Sequence, residues 1–125
     1  MWFNSTAFYL CRSSLDPCED NPLGIEDRLP DSSFSASSFF EPSFPPSSAR
    51  LNGEYAWCSG TTDLSVEYLQ IQLPYHSATI CAIATQGTGF KHLEYTTNES
   101  VTEYSVEYFD GGRWKRIEKV RAVQV

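Results

Sequence analysis

Four cysteines, two histidines and a run of acids near the N-terminus are the residues of this chain best equipped for chemistry. Cys11, Cys18, Cys58 and Cys81 stand far apart, and no C-x-x-C pair occurs among them. Structural zinc sites use close pairs at fixed spacing, so this pattern argues against zinc. Four cysteines allow three disulfide pairings in an oxidising compartment; in the cytosol all four would be thiols. His76 follows Pro74-Tyr75 in a predicted turn, and His92 lies in a predicted loop. Serines are plentiful, but no G-x-S-x-G elbow presents one as a nucleophile. No G-x-x-x-x-G-K-[ST] loop cradles a phosphate. Asp16, Glu19, Asp20, Glu26, Asp27 and Asp31 offer oxygen ligands to calcium. Without EF-hand spacing they read as solvated charge. These residues predict no enzyme and no bound cofactor or metal, with calcium the one ion worth weighing. Asn4-Ser5-Thr6 and Asn98-Glu99-Ser100 are glycosylation sequons, which makes Asn4 and Asn98 candidate sites and fits secretion.

A length of 125 residues is one domain's worth. Aromatics make up 14% of the chain, enough for strand cores and for exposed binding tips. The net charge is −7 and no basic stripe exists, which excludes nucleic acid as a partner class. The same charge disfavours purely electrostatic binding to anionic membranes. No run approaches about eighteen apolar residues, so no spanning helix is predicted. The opening MWFNSTAFYLCRSS is a poor signal peptide, because it lacks a basic start and Asn4, Ser5 and Thr6 interrupt its apolar run. Residues 1–17 read as a tail.

The elements that must position any site are predicted to be strands. Phe34 and Ala36 alternate with serines, which suits one short strand. Three prolines after position 41 exclude a helix or central strand from the stretch that follows. That stretch is either a structured loop or a Ser/Pro linker; Phe39, Phe40 and Phe44 favour the loop, since linkers are poor in Phe. Tyr68 to Leu73 alternates, with Leu69, Ile71 and Leu73 on one face. Thr79 to Thr85 is a near-continuous apolar run that fits a buried strand. Thr102 to Tyr108 alternates with Tyr104, Val106 and Tyr108 inward. Asp110-Gly111-Gly112 is a hairpin turn, and Trp114 and Ile117 begin the returning strand. Trp57 and Trp114 are expected in the core. No helical period is sustained. The fold class is all-β, as a sandwich or barrel.

Five segments resemble the discoidin family, the coagulation factor 5/8 type C domains, in order and spacing. They are PLGIEDRLPDSSFSASSFF at 22–40, Ala49-Arg50-Leu51-Asn52 with Ala56-Trp57, YLQIQL at 68–73, Ile83-Ala84-Thr85-Gln86-Gly87, and the stretch from Val101 to Trp114. The match runs from Cys18 to about Ile117. Trp57-Cys58 and Glu67-Tyr68-Leu69-Gln70 look most like the discoidin-domain receptor branch, whose members bind collagen. The resemblance implies an antiparallel, jelly-roll-like β-sandwich over 18–125 that lacks the family's last strands. It implies that Cys18 and Cys58 would each pair with a cysteine beyond Val125. It also implies an extracellular place, secreted or in the ectodomain of a membrane protein, and a role in adhesion.

In that family, ligands bind at loops gathered at one end of the sandwich. The corresponding stretches here are Phe39 to Ser48, Asn52 to Tyr55 and Thr88 to Thr97. The candidate binding residues are Phe39, Phe40, Glu41, Phe44, Asn52, Glu54, Thr88, Phe90 and Glu99. Phe40 falls where the receptor branch carries a collagen-docking Trp, and Phe44 matches another contact position. Phe39 and Phe40 each either join that tip or fold back over the core. Thr88 stands where the branch carries an Arg, with Glu99 in place of its acidic partner; Lys91 lies nearby. Arg50 is expected to form a structural salt bridge. The expected partner is a matrix or cell-surface protein. Anionic lipid, carbohydrate, and a truncated product without activity are the alternatives.

Overall fold

The computed structural model describes residues 2–3, 6–11, 29–51, 53, 55–61, 67–74, 79–86, 88–89, 98–99, 104–117 and 123–124. Side chains are described for 29–51, 53, 55–61, 67–74, 80, 83, 85, 86 and 104–117. These residues are mostly strand, and the only helices among them are two short 3₁₀ turns, at Asp31–Ser33 and Pro46–Ser48. None is long and apolar enough to cross a membrane.

Three strands form the largest sheet. β1 is Trp2–Phe3 and β2 is Thr6–Cys11. β3 is Phe34–Ala36, β4 is Trp57–Cys58, β5 is Leu69–Ile71 and β6 is Thr79–Thr85. β6 has the predicted bounds. It is a central strand, flanked by antiparallel β2 and by parallel β11, Val123–Gln124. Its described side chains, Ile80, Ile83 and Thr85, are half-buried and not enclosed as expected. Residues 1–17, expected as a tail, instead carry β1 and β2. Thr, Phe, Tyr and Leu in Thr6-Ala7-Phe8-Tyr9-Leu10 suit a pleated surface, and pairing with β6 outweighs the polar interruption before them. The register skips Cys81, because Tyr9 pairs with Ala82 and Leu10 with Ile80. A bulge of this kind bends the strand and deepens its twist.

The other described strands pair in twos, all antiparallel: β1 with β4, β3 with β5, β7 (Thr88–Gly89) with β8 (Asn98–Glu99), and β9 (Val106–Phe109) with β10 (Trp114–Ile117). In the β5 region the predicted alternation holds. Leu69, Ile71 and Leu73 are half-buried, while Tyr68, Gln70 and Gln72 face water.

The core of the described residues gathers around β4. Trp57 is 0% exposed, and Leu29, Phe34, Ala49, Leu51, Ala56 and Cys58 are buried with it. Burying an indole of about 200 Å² at about 25 cal/mol/Å² contributes about 5 kcal/mol before entropy is counted. The 3₁₀ turn at Pro46–Ser48 packs against β3, β4 and the turn at Asp31–Ser33. Pro46 fits its first position because a first-turn N–H has no intrahelical acceptor. Arg50 joins this core from its rim. Its guanidinium carbon lies 4.6 Å from the Phe34 ring centroid, and Nη2 donates to Asp31 Oδ1 at 2.6 Å. That is the structural salt bridge expected of Arg50. Nη1 is buried without a protein partner.

The hairpin corrects two expectations. Trp114 is 51% exposed, not core. Tyr108 is exposed too, although it shares a face with half-buried Val106. Strand parity explains Trp114. Residues an odd number apart point to opposite faces. Ile117 pairs with Val106 on the half-buried side, so Trp114, three residues away, faces outward with its partner Phe109. Between the strands, Gly111 has φ +93, a value glycine adopts without steric cost. Asp110 Oδ1 accepts from the N–H groups of Gly112 and Arg113, each at 3.1 Å. Its other oxygen meets Lys115 Nζ at 2.5 Å.

The Lys115 ammonium, helped by those two backbone donors, lowers the Asp110 carboxyl from 3.8 to about 2. The folded value lies below the unfolded one. The hairpin therefore keeps this contribution above about pH 4 and loses it as pH falls through 2. A carbon-detected NMR titration should place the Asp110 midpoint near 2, and Lys115→Gln should move it upward. An unchanged midpoint in that variant would sink the assignment.

Candidate functional site

Phe39, Phe40 and Glu41 form an exposed tip between β3 and the 3₁₀ turn at Pro46–Ser48. Phe40 is 61% exposed and Phe39 48%. Both rings reach water, Phe40 further than Phe39. Glu41 is exposed, and its carbonyl accepts from Phe44 N–H at 2.9 Å, which turns the chain back. Phe44 is half-buried and anchors the far side of that turn. The segment is a structured loop and not a linker.

Ser37 and Ser38, just before the tip, hold it in place. Ser37 Oγ donates to Glu67 Oε2 at 2.6 Å and accepts from Tyr68 N–H at 2.9 Å. Ser38 Oγ donates to both Glu67 oxygens, at 2.9 and 2.7 Å, and accepts from Gly60 N–H at 2.8 Å. Thr61 Oγ1 donates to Glu67 Oε1 at 2.7 Å. Short hydroxyl-to-carboxylate bonds of this kind are about twice as strong as neutral ones. The Ser38 carbonyl accepts from Trp57 Nε1–H at 2.8 Å, and Phe40 N–H donates to the Cys58 carbonyl at 2.9 Å. Ser37 N–H donates to the Tyr68 carbonyl at 3.1 Å. The loop base is thus tied to β4 on one side and to the approach to β5 on the other.

Gly60 is required where the strands close on the loop. A Cβ there would lie 2.9 Å from the Phe39 carbonyl oxygen, closer than real contacts allow. Cys58 is buried, with its thiol directed at the Ser59 carbonyl 3.6 Å away.

Of the other candidate residues, Thr88 pairs with Glu99 in the β7–β8 ladder, and Gly89 with Asn98. The two positions set against each other in the sequence are therefore direct cross-strand neighbours. Asn52, Glu54, Phe90 and Asn4 lie outside the described residues, as do Lys91, His76, His92 and the acids from Asp16 to Asp27. Asp31, the last of that acidic group, is engaged by Arg50. Sequence reasoning missed the Ser37, Ser38, Thr61 and Glu67 cluster. Ser38 and Glu67 stand 29 residues apart, so no local pattern joins them. Tyr55, at the end of the Asn52 to Tyr55 stretch, is exposed. Tyr68, on the solvent face of the alternation, is exposed beside the loop base.

In comparisons with known proteins, no family model, no curated protein and no solved structure matches this chain.

Removing the Glu67 carboxylate leaves three hydroxyl donors without their shared acceptor. Glu67→Ala should cost about 1–3 kcal/mol in urea denaturation, and Glu67→Gln, which keeps one oxygen acceptor, should cost less. Equal midpoints for both variants and the parent would show that the cluster adds no stability.

Proposed function

We propose that this chain is an extracellular binding module of the discoidin type, built as an antiparallel, jelly-roll-like β-sandwich. In this reading it recognises a matrix or cell-surface protein through the loop from Phe39 to Phe44. The observation that carries it is the pair of exposed phenyl rings on a base held by side-chain and backbone hydrogen bonds. An exposed aromatic on a fixed base brings contact area to an interface with little ordering left to do. The five ordered motifs support the family, and the strand-rich character of the described residues agrees with it.

The chemistry of the tip favours protein over anionic lipid. Glu41 follows the Phe pair directly, and the whole chain carries −7. Both oppose approach to a negative leaflet, where basic residues are the usual attractant. Collagen is the first ligand to test, on the resemblance around Trp57-Cys58 and Glu67 to Gln70. Thr88 offers no cation to Glu99, so recognition here leans on Phe40 and not on an ion pair.

Phe40→Ala should leave stability within about 0.5 kcal/mol, since the ring is exposed. It should weaken solid-phase binding to fibrillar collagen about tenfold or more, as loss of a central aromatic does. Equal binding by variant and parent would remove Phe40 from the site. Co-sedimentation with phosphatidylserine vesicles that Phe40→Ala abolishes would turn the reading towards lipid.

A further inference from the structure

The outer face of the β9–β10 hairpin carries a second exposed surface. Register sets Trp114 opposite Phe109 and Arg116 opposite Glu107. Residues two apart share a face, so these four side chains line one side of the ribbon. All four are exposed, Phe109 at 55% and Trp114 at 51%. The aromatic rings contact each other with centroids 5.5 Å apart at a tilt of 52°. The Arg116 guanidinium meets Glu107 Oε1 at 3.1 Å. The opposite face carries half-buried Val106, Lys115 and Ile117 together with exposed Tyr108.

From this arrangement we infer that the outer face of the hairpin is a self-association surface whose occupant is the same face of a second copy of this chain. Charge is the deciding argument. The chain carries −7, so two copies repel each other across most of their surfaces. The hairpin from Tyr104 to Ile117 departs from that balance. Arg113, Lys115 and Arg116 outnumber Glu107 and Asp110, and the exposed face itself holds one acid and one base. Such a face is neutral overall and complementary to itself.

Geometry selects the symmetry. A two-fold axis parallel to the strands lays β9 of one copy over β10 of the other. Because Glu107 is level with Arg116 and Phe109 with Trp114, that axis sets acid over base and ring over ring, twice each. The contact is isologous, as closed dimers require. A two-fold across the strands would instead stack each strand on its own reversed copy and set rings over charges. Face-to-face sheets lie about 10 Å apart, within reach of Trp, Phe, Arg and Glu side chains. Two half-exposed rings and one ion pair per copy make a small patch. The dimer is therefore weak, dissociating in the micromolar to millimolar range, roughly.

Sedimentation velocity on the full chain from about 10 µM to about 1 mM tests this, over the range that such patches reach. The parent should show concentration-dependent dimer. Trp114→Ser should raise the dissociation constant about tenfold or more. E107R alone sets base against base, R116E alone sets acid against acid, and both should dissociate the dimer. The double swap E107R/R116E should restore it. Circular dichroism on each variant separates loss of association from loss of folding. A parent that stays monomeric at every concentration overturns the proposal, as does a dimer indifferent to all the variants or a folded double swap that remains monomeric.

Discussion

The hydrogen bond from Trp57 to the Ser38 carbonyl is the contact on which the described structure turns. The indole is completely buried on β4, which makes it the largest apolar anchor there. Its N–H cannot be left unpaired in that setting without losing much of what burial contributes. The nearest solution is a loop carbonyl, and the bond to Ser38 binds core and loop into one unit. A Phe at the same position would fill much of the volume but leave the Ser38 carbonyl without this donor.

Everything around Ser37 to Phe40 extends that logic. A loop without regular secondary structure must find partners for its backbone groups elsewhere. Here they come from β4 and from the approach to β5. Serine suits this task because one hydroxyl both donates and accepts. Ser37 and Ser38 each donate to the Glu67 carboxylate and accept from a backbone N–H. Pro45 and Pro46 reduce the demand further, since they carry no N–H at all. The result is that two phenyl rings stand in water on a firm base. Left on a mobile segment, the same rings would lose most of their use as anchors to ordering entropy.

The hairpin balances its forces differently. Its turn is held by Asp110, whose carboxylate takes two backbone N–H groups and the Lys115 ammonium. Its strands divide by parity into a mixed face of Val106, Tyr108, Lys115 and Ile117 and an exposed face of rings and opposed charges. The two exposed regions therefore differ in kind. The Phe39–Phe40 tip is local, apolar and flanked by an acid, while the hairpin face is electrically balanced.

Much of this was readable from the amino-acid order alone. Alternation identified β3 and the inward side of β5, and the apolar run from Thr79 to Thr85 matched β6 end to end. Asp-Gly-Gly marked the hairpin turn. These features are legible because side-chain direction repeats every two residues along a strand, so a short window carries it. The exposure of Trp114 was also latent in that parity, and was missed because its size argued for burial before its phase was considered. What only the tertiary structure decided was partnership. Thr6–Cys11 became a strand because β6 was there to receive it. Glu67 became the loop's staple across some thirty residues of intervening chain, and Trp57 found Ser38 across 19. Local periodicity says which way a side chain points; it holds no record of what a distant segment brings to meet it.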